Sequence, residues 1–156
     1  VERFNIHEPQ FDYDEADPEG YRAGMARFGP RIGMRRLGGS VYELPAGQSI
    51  CPYHWEAGDE ELLLVLAGEV VVRHPGGEEL LGEGEIVCFP EGPDGAHKVT
   101  NRTDATVRVL MLSTMREPAI TLYPDSNKLG AFDKASGTRM LFRCGEAVDY
   151  YDGESA

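Results

Sequence analysis

From position 32 to position 115 the chain alternates short apolar or β-branched runs with breaks rich in glycine and proline. The runs predict strands at 32–36, 40–44, 49–53, 61–66, 70–74, 78–81, 86–89, 97–100 and 106–114. Turn signals separate them: GG at 38–39, PAG at 45–47, HPGG at 74–77, GEGE at 82–85 and PEGPDG at 90–95. No segment carries a convincing amphipathic helical repeat. Short, regularly spaced strands of this kind predict an all-β sandwich or barrel. Three parts follow: an N-terminal arm over 1–31 packed on the barrel, the barrel over 32–115, and a C-terminal extension over 116–156. The extension is expected to add one or two strands, one of them at 139–143.

At 156 residues the chain is long enough for one domain with a proper core. Acids outnumber bases 27 to 15, for a formal net charge of -12. Such a surface repels phosphate backbones and anionic membranes, so neither nucleic acid nor membrane is an expected partner. Cys51, Cys88 and Cys144 form no Cys-x-x-Cys pair and are odd in number, which fits reduced thiols in a cytoplasmic protein. Cys51 and Cys88 are expected to be buried packing residues. The polar, acidic start has no apolar core of a signal peptide, and no stretch reaches transmembrane length.

The chemistry concentrates in two places. In PYHWEAGDEELLLVLAG, an extended segment puts His54 and Glu56 on the same face, and a four-residue turn leads on to Glu61 on the next strand. In GEIVCFPEGPDGAHKVTN, a glycine- and proline-rich loop precedes His97. Two imidazoles and two carboxylates can therefore converge inside a barrel. Glu60 alternates with Glu61 and is expected to face outward. Arg73, Arg102 and Arg108 are expected on the surface, and Asn101 as a hydrogen-bonding turn residue.

These stretches resemble the two motifs of the cupin superfamily. The first has His54, Glu61 and Gly68 in register, with six residues between the last two. The second has Gly84, Pro90, Gly92, His97 and Asn101 in order, the loop before His97 being two residues longer than the commonest form. The resemblance implies a double-stranded β-helix, a jelly-roll-like barrel, holding a divalent metal through three His and one Glu. Here Glu56 stands where the family has its second His.

That exchange leaves three readings. Glu56 can be a fourth ligand beside His54, Glu61 and His97, tilting preference toward harder ions. It can stay free as a general base beside a two-His-one-carboxylate set. Or the ion can be lost, leaving two carboxylates that raise one another's pKa. The expected cofactor is a divalent transition metal: iron, manganese, zinc or nickel. The resemblance implies a metal-dependent enzyme of oxygenase, isomerase or decarboxylase type, acting on a small organic molecule. The alternative is a non-enzymatic cupin that binds a sugar or carboxylic acid at a degenerate metal site. A homodimer is expected.

Overall fold

The computed structural model describes residues 1–155. Its strands are β1 (Gly24–Arg27), β2 (Leu37–Leu44), β3 (Trp55–Glu56), β4 (Glu61–Ala67), β5 (Glu69–His74) and β6 (Gly77–Gly82). They continue with β7 (Ile86–Phe89), β8 (Lys98–Thr100), β9 (Val107–Thr114), β10 (Ala119–Tyr123), β11 (Lys128–Asp133) and β12 (Thr138–Arg143). Among the described residues there is no α-helix, only short 3-10 turns. The strands form three antiparallel sheets, ordered β1-β2-β9-β4-β7, β6-β5-β8 and β12-β11-β10-β3. Single bridges from Ser49 to Thr100 and from His54 to His97 tie the 49–54 segment to the strand after the proline-rich loop.

Strand alternation sorts the faces of the large sheet. On β4, Leu63 and Val65 enter the main core with Leu44, Val107, Val109 and Phe89. Glu61 stands two residues before Leu63, on the same inward face. The opposite face carries Ala26, Phe28 and Val41, covered by Phe4, Ile6 and Phe11 of the arm. The arm thus shields an apolar sheet face from water, and its β1 extends the sheet beyond β2.

Several expectations are corrected. The strand expected at 32–36 is a 3-10 turn over Pro30–Ile32 followed by bends; Gly33, at φ 78°, ends the turn in left-handed geometry. The glycine pair at 38–39 is no turn but lies inside β2. The Phe28 ring packs where a Gly39 Cβ would sit, at 2.6 Å, and the Met115 sulfur occupies the same place at Gly38, at 2.8 Å. No strand forms at 49–53, where Pro52 has no N–H for a ladder. The tail holds three strands, β10, β11 and β12, instead of one or two. Cys88 is exposed on the edge strand β7, not buried.

Arg73, Arg102 and Arg108 pair with Asp125, Glu78 and Glu43 respectively. Asn101 is fully buried. Its Nδ2 donates to the carbonyls of Leu44 and Ala105, and its Oδ1 accepts from the Thr103 N–H and hydroxyl. It closes the loop between β8 and β9. An Asn101→Ala variant strands these buried groups and should cost about 3 kcal/mol, lowering Tm by roughly 6–12 °C. Thermal denaturation checks this; a shift of a degree or two would contradict it.

Candidate metal centre

Three segments bring the polar cluster together. His54 ends the loop before β3, Glu61 opens β4, and His97 follows the 3-10 turn Pro93–Gly95. His54 and His97 are joined by two backbone hydrogen bonds, N–H to carbonyl in each direction, at 3.1 and 2.8 Å. That exchange fixes the two rings side by side, with centroids 4.7 Å apart. The His97 ring also stacks on Phe89, 3.7 Å away and nearly parallel.

Each imidazole is oriented from behind. His54 Nδ1 lies 3.0 Å from the Pro52 carbonyl, and His97 Nδ1 lies 2.9 Å from the Gly95 carbonyl. A carbonyl only accepts, so each Nδ1 carries the hydrogen, and in the neutral ring Nε2 keeps its lone pair. Both Nε2 atoms face the same carboxylate oxygen. Glu61 Oε2 is 3.7 Å from His54 Nε2 and 3.5 Å from His97 Nε2.

Those separations are too long for hydrogen bonds. Among the described residues Glu61 Oε2 is buried without any hydrogen-bond partner. Two ligands about 2.1 Å from one ion lie roughly 3.0–3.4 Å apart, so the two separations from Glu61 are close to those of ligands sharing an ion. His54, Glu61 and His97 form a cluster whose ligand atoms lie within 4.8 Å of one another and which can hold a metal. The unpartnered Oε2 fits that role: a buried carboxylate oxygen needs a cation or a donor.

Glu56 lies outside this cluster. Its Oε1 is 3.9 Å from His54 Nε2, and the Thr121 hydroxyl of β10 bonds its carboxylate, at 3.0 Å from Oε1 and 2.8 Å from Oε2. Burial pushes the Glu56 carboxyl up, and the Thr121 hydroxyl and His54 pull it back only partly. Glu60 is exposed, as strand alternation requires. Thr121 and Phe89 escaped the sequence reading. Thr121 lies beyond both motifs, and no local signal places it beside Glu56.

Two cavities meet at Glu61. The outer one, about 570 Å³, is lined by Glu56, Thr121 and Tyr123 on one side and Tyr42 and Met111 on the other. The inner one, about 230 Å³, contains His54 and His97 with Ile50, Cys51 and Val99.

Residues 40–113 match the family profile of the cupin domain. The barrel is a cupin domain. Its three antiparallel sheets close as the double-stranded β-helix of that superfamily. A crystal structure of a protein from Silicibacter pomeroyi DSS-3, described as a sugar phosphate isomerase from a cupin superfamily, has TM-score 0.81 and 22% identity. The match covers 96% of this chain and 98% of that one. The polyketide cyclase RemF from Streptomyces resistomycificus matches at TM-score 0.62 and 21% identity, over 76% of this chain and 83% of its own. The protein TT1209 from Thermus thermophilus gives TM-score 0.59 and 26% identity, over 74% of this chain and 99% of its own. These likenesses concern the fold. No curated protein matches the chain. No helix is long and apolar enough to cross a membrane.

The ion-free cluster balances its charge with a proton. Burial disfavours charge on both imidazoles. On His54 it is outweighed by the adjacent Cys51 sulfur and Glu61 carboxylate, which hold that ring above the usual imidazole range. On His97, burial and then the neighbouring His54 push the pKa down to about 4. Near pH 7 one imidazole, His54, is therefore protonated. A metal must displace that proton, because only a neutral ring is a ligand. Binding of a divalent ion should release about one proton, and affinity should rise roughly tenfold per pH unit between about pH 6 and 8. Titration calorimetry in buffers of different ionisation enthalpy measures both; pH-independent affinity would contradict the assignment.

Proposed function

We propose that this cupin is a metal-dependent enzyme that moves a proton within a small oxygenated organic molecule, an isomerase-type reaction. The reading is carried by one observation: Glu56 stands beside the His54–Glu61–His97 cluster, outside it, and lines the outer cavity. In this reading His54, Glu61 and His97 are the metal ligands, and Glu56 is the general base. A divalent transition ion in the cluster would supply Lewis acidity toward a carbonyl or hydroxyl oxygen of the substrate.

The protein's own groups do the rest. Glu56 takes the proton from the hydroxyl-bearing carbon next to a carbonyl and returns it to the former carbonyl carbon, while the hydroxyl proton passes to the former carbonyl oxygen. Its raised pKa moves it toward working pH, which suits a group that must both accept and donate. The Thr121 hydroxyl fixes the carboxylate's orientation and leaves its remaining lone pairs for the substrate. Phe89, stacked on His97, holds that ring's plane. Isomerase is also the description of the Silicibacter pomeroyi protein of the same fold.

Elemental analysis of untagged protein separates the roles. Wild type should carry near one transition ion per chain. His97→Ala and Glu61→Gln should lose it, with affinity down by at least about a hundredfold. Glu56→Gln should keep the ion within about threefold of wild-type affinity and abolish exchange of substrate carbon-bound hydrogen with deuterated solvent. Loss of metal in Glu56→Gln would make Glu56 a fourth ligand and remove the base. Iron as the native ion, with oxygen uptake on substrate addition, would turn the reading to oxygenase chemistry.

A further inference from the structure

The outer cavity has two walls of different origin. One consists of the arm and β2, the other of the C-terminal sheet. On the first wall Arg27 stands directly opposite Ser40 across β1 and β2, on the face that carries Tyr42. Burial pushes the Tyr42 phenol up to about 12, with the nearby Arg27 guanidinium opposing the shift. Arg35 lies in the bend just before β2. On the second wall Arg139 of β12 is opposite Phe132 of β11, its guanidinium 5.9 Å from that ring. All three arginines line the cavity.

Six of the chain's fifteen lysines and arginines pair with a carboxylate, and these three arginines are not among them. Arg22, Arg73, Arg102, Arg108 and Arg116 each pair with a carboxylate. Among the described residues Arg27, Arg35 and Arg139 pair with none. Three acids of the same cavity have partners within the protein: Glu56 accepts from Thr121, Asp59 from the Thr114 hydroxyl and the Arg116 N–H, and Glu117 pairs with Lys134, while Glu61 faces the two imidazoles. The sequence sharpens the contrast. From Gly20 to Tyr42 there is no Asp or Glu and there are five arginines, in a chain of net charge -12. Neutral donors or a lysine hold Glu56, Asp59 and Glu117 in place, whereas among the described residues the three wall arginines have no carboxylate partner.

We infer that these walls form an anion subsite, in which Arg27, Arg35 and Arg139 take the phosphate of a small phosphate monoester. Planar guanidinium groups bind phosphate oxygens in pairs, and a doubly charged group draws on more than one of them. Anchoring the phosphate between the two walls leaves the carbon chain to extend toward Glu56. The inference rests on the proposed function only for where the reactive end lies; the anion subsite needs no ion in the cluster.

The test uses chelator-treated full-length protein titrated by calorimetry with inorganic phosphate and, separately, with malonate. Phosphate should bind at one saturable site per chain, more tightly than malonate. The double variant Arg27→Gln/Arg139→Gln should weaken phosphate about tenfold, and Arg35→Gln about threefold. Arg116→Gln, in the same cavity but paired with Glu91, should change it less than about twofold. Thermal denaturation checks that each variant is folded, and elemental analysis of metal-loaded samples should show unchanged metal content. Absent phosphate binding, binding indifferent to the double variant, equal weakening by Arg116→Gln, or tighter malonate binding would each overturn the phosphate subsite. Arginine-dependent phosphate binding in a wild type that takes up no metal would overturn the metal reading and leave the subsite standing.

Discussion

Glu61 places a carboxylate inside the barrel with one oxygen facing two imidazole nitrogens and no hydrogen-bond donor within reach. Withdrawing an ionised carboxylate from water costs several kcal/mol, and only a cation or well-placed donors offset it. The surroundings of Glu61 are arranged for the cation. Both histidines spend their rear nitrogens on backbone carbonyls, which turns their other nitrogens inward. Phe89 blocks rotation of one ring, and the paired backbone bonds between His54 and His97 hold the two in step.

The cavity opens where it does because side-chain size changes along the inner face of the large sheet. At one end Leu44 stands opposite Val107, and the space between is filled. At the other end Gly38 faces Ser113, which in turn faces Glu61. The Met115 sulfur takes the space beside Gly38, and the small Ser113 side chain lines the cavity next to Glu61. The C-terminal sheet closes the far side, with Thr121 opposite Glu56 and Phe132 packed over Gly130. The extension is therefore a wall of the site, and without it Glu56 would lose its hydrogen-bond partner.

Much of this was legible in the sequence wherever a residue's neighbours along the chain decide its fate. The runs at 61–66, 70–74, 86–89 and 106–114 appear as strands because β-branched and aliphatic residues alternate between two faces. His54, Glu61 and His97 were legible as a set because their spacing matches a recurrent motif, and the structure brings them together. The GG pair misled because glycine marks both a turn and a close approach of another side chain. Only the positions of Phe28 and Met115 decide between them. Strands β1 (GMAR) and β11 (KLGAFD) carry weak local patterns, and each is held by its partner strand.

By itself the sequence determined an all-β barrel, the four polar residues of its interior and the acidic surface around it. These follow from alternation, turn chemistry and counted charge, which are properties of short windows. The tertiary structure decided the difference between Glu56 and Glu61. Both are acids near the start of a strand, and both point inward. Glu56 meets Thr121, sixty-five residues away, and is satisfied by its hydroxyl. Glu61 meets only two imidazoles and keeps an unpartnered oxygen. A side chain's chemistry depends on what desolvates and what compensates it, and those groups come from strands that only folding brings into contact.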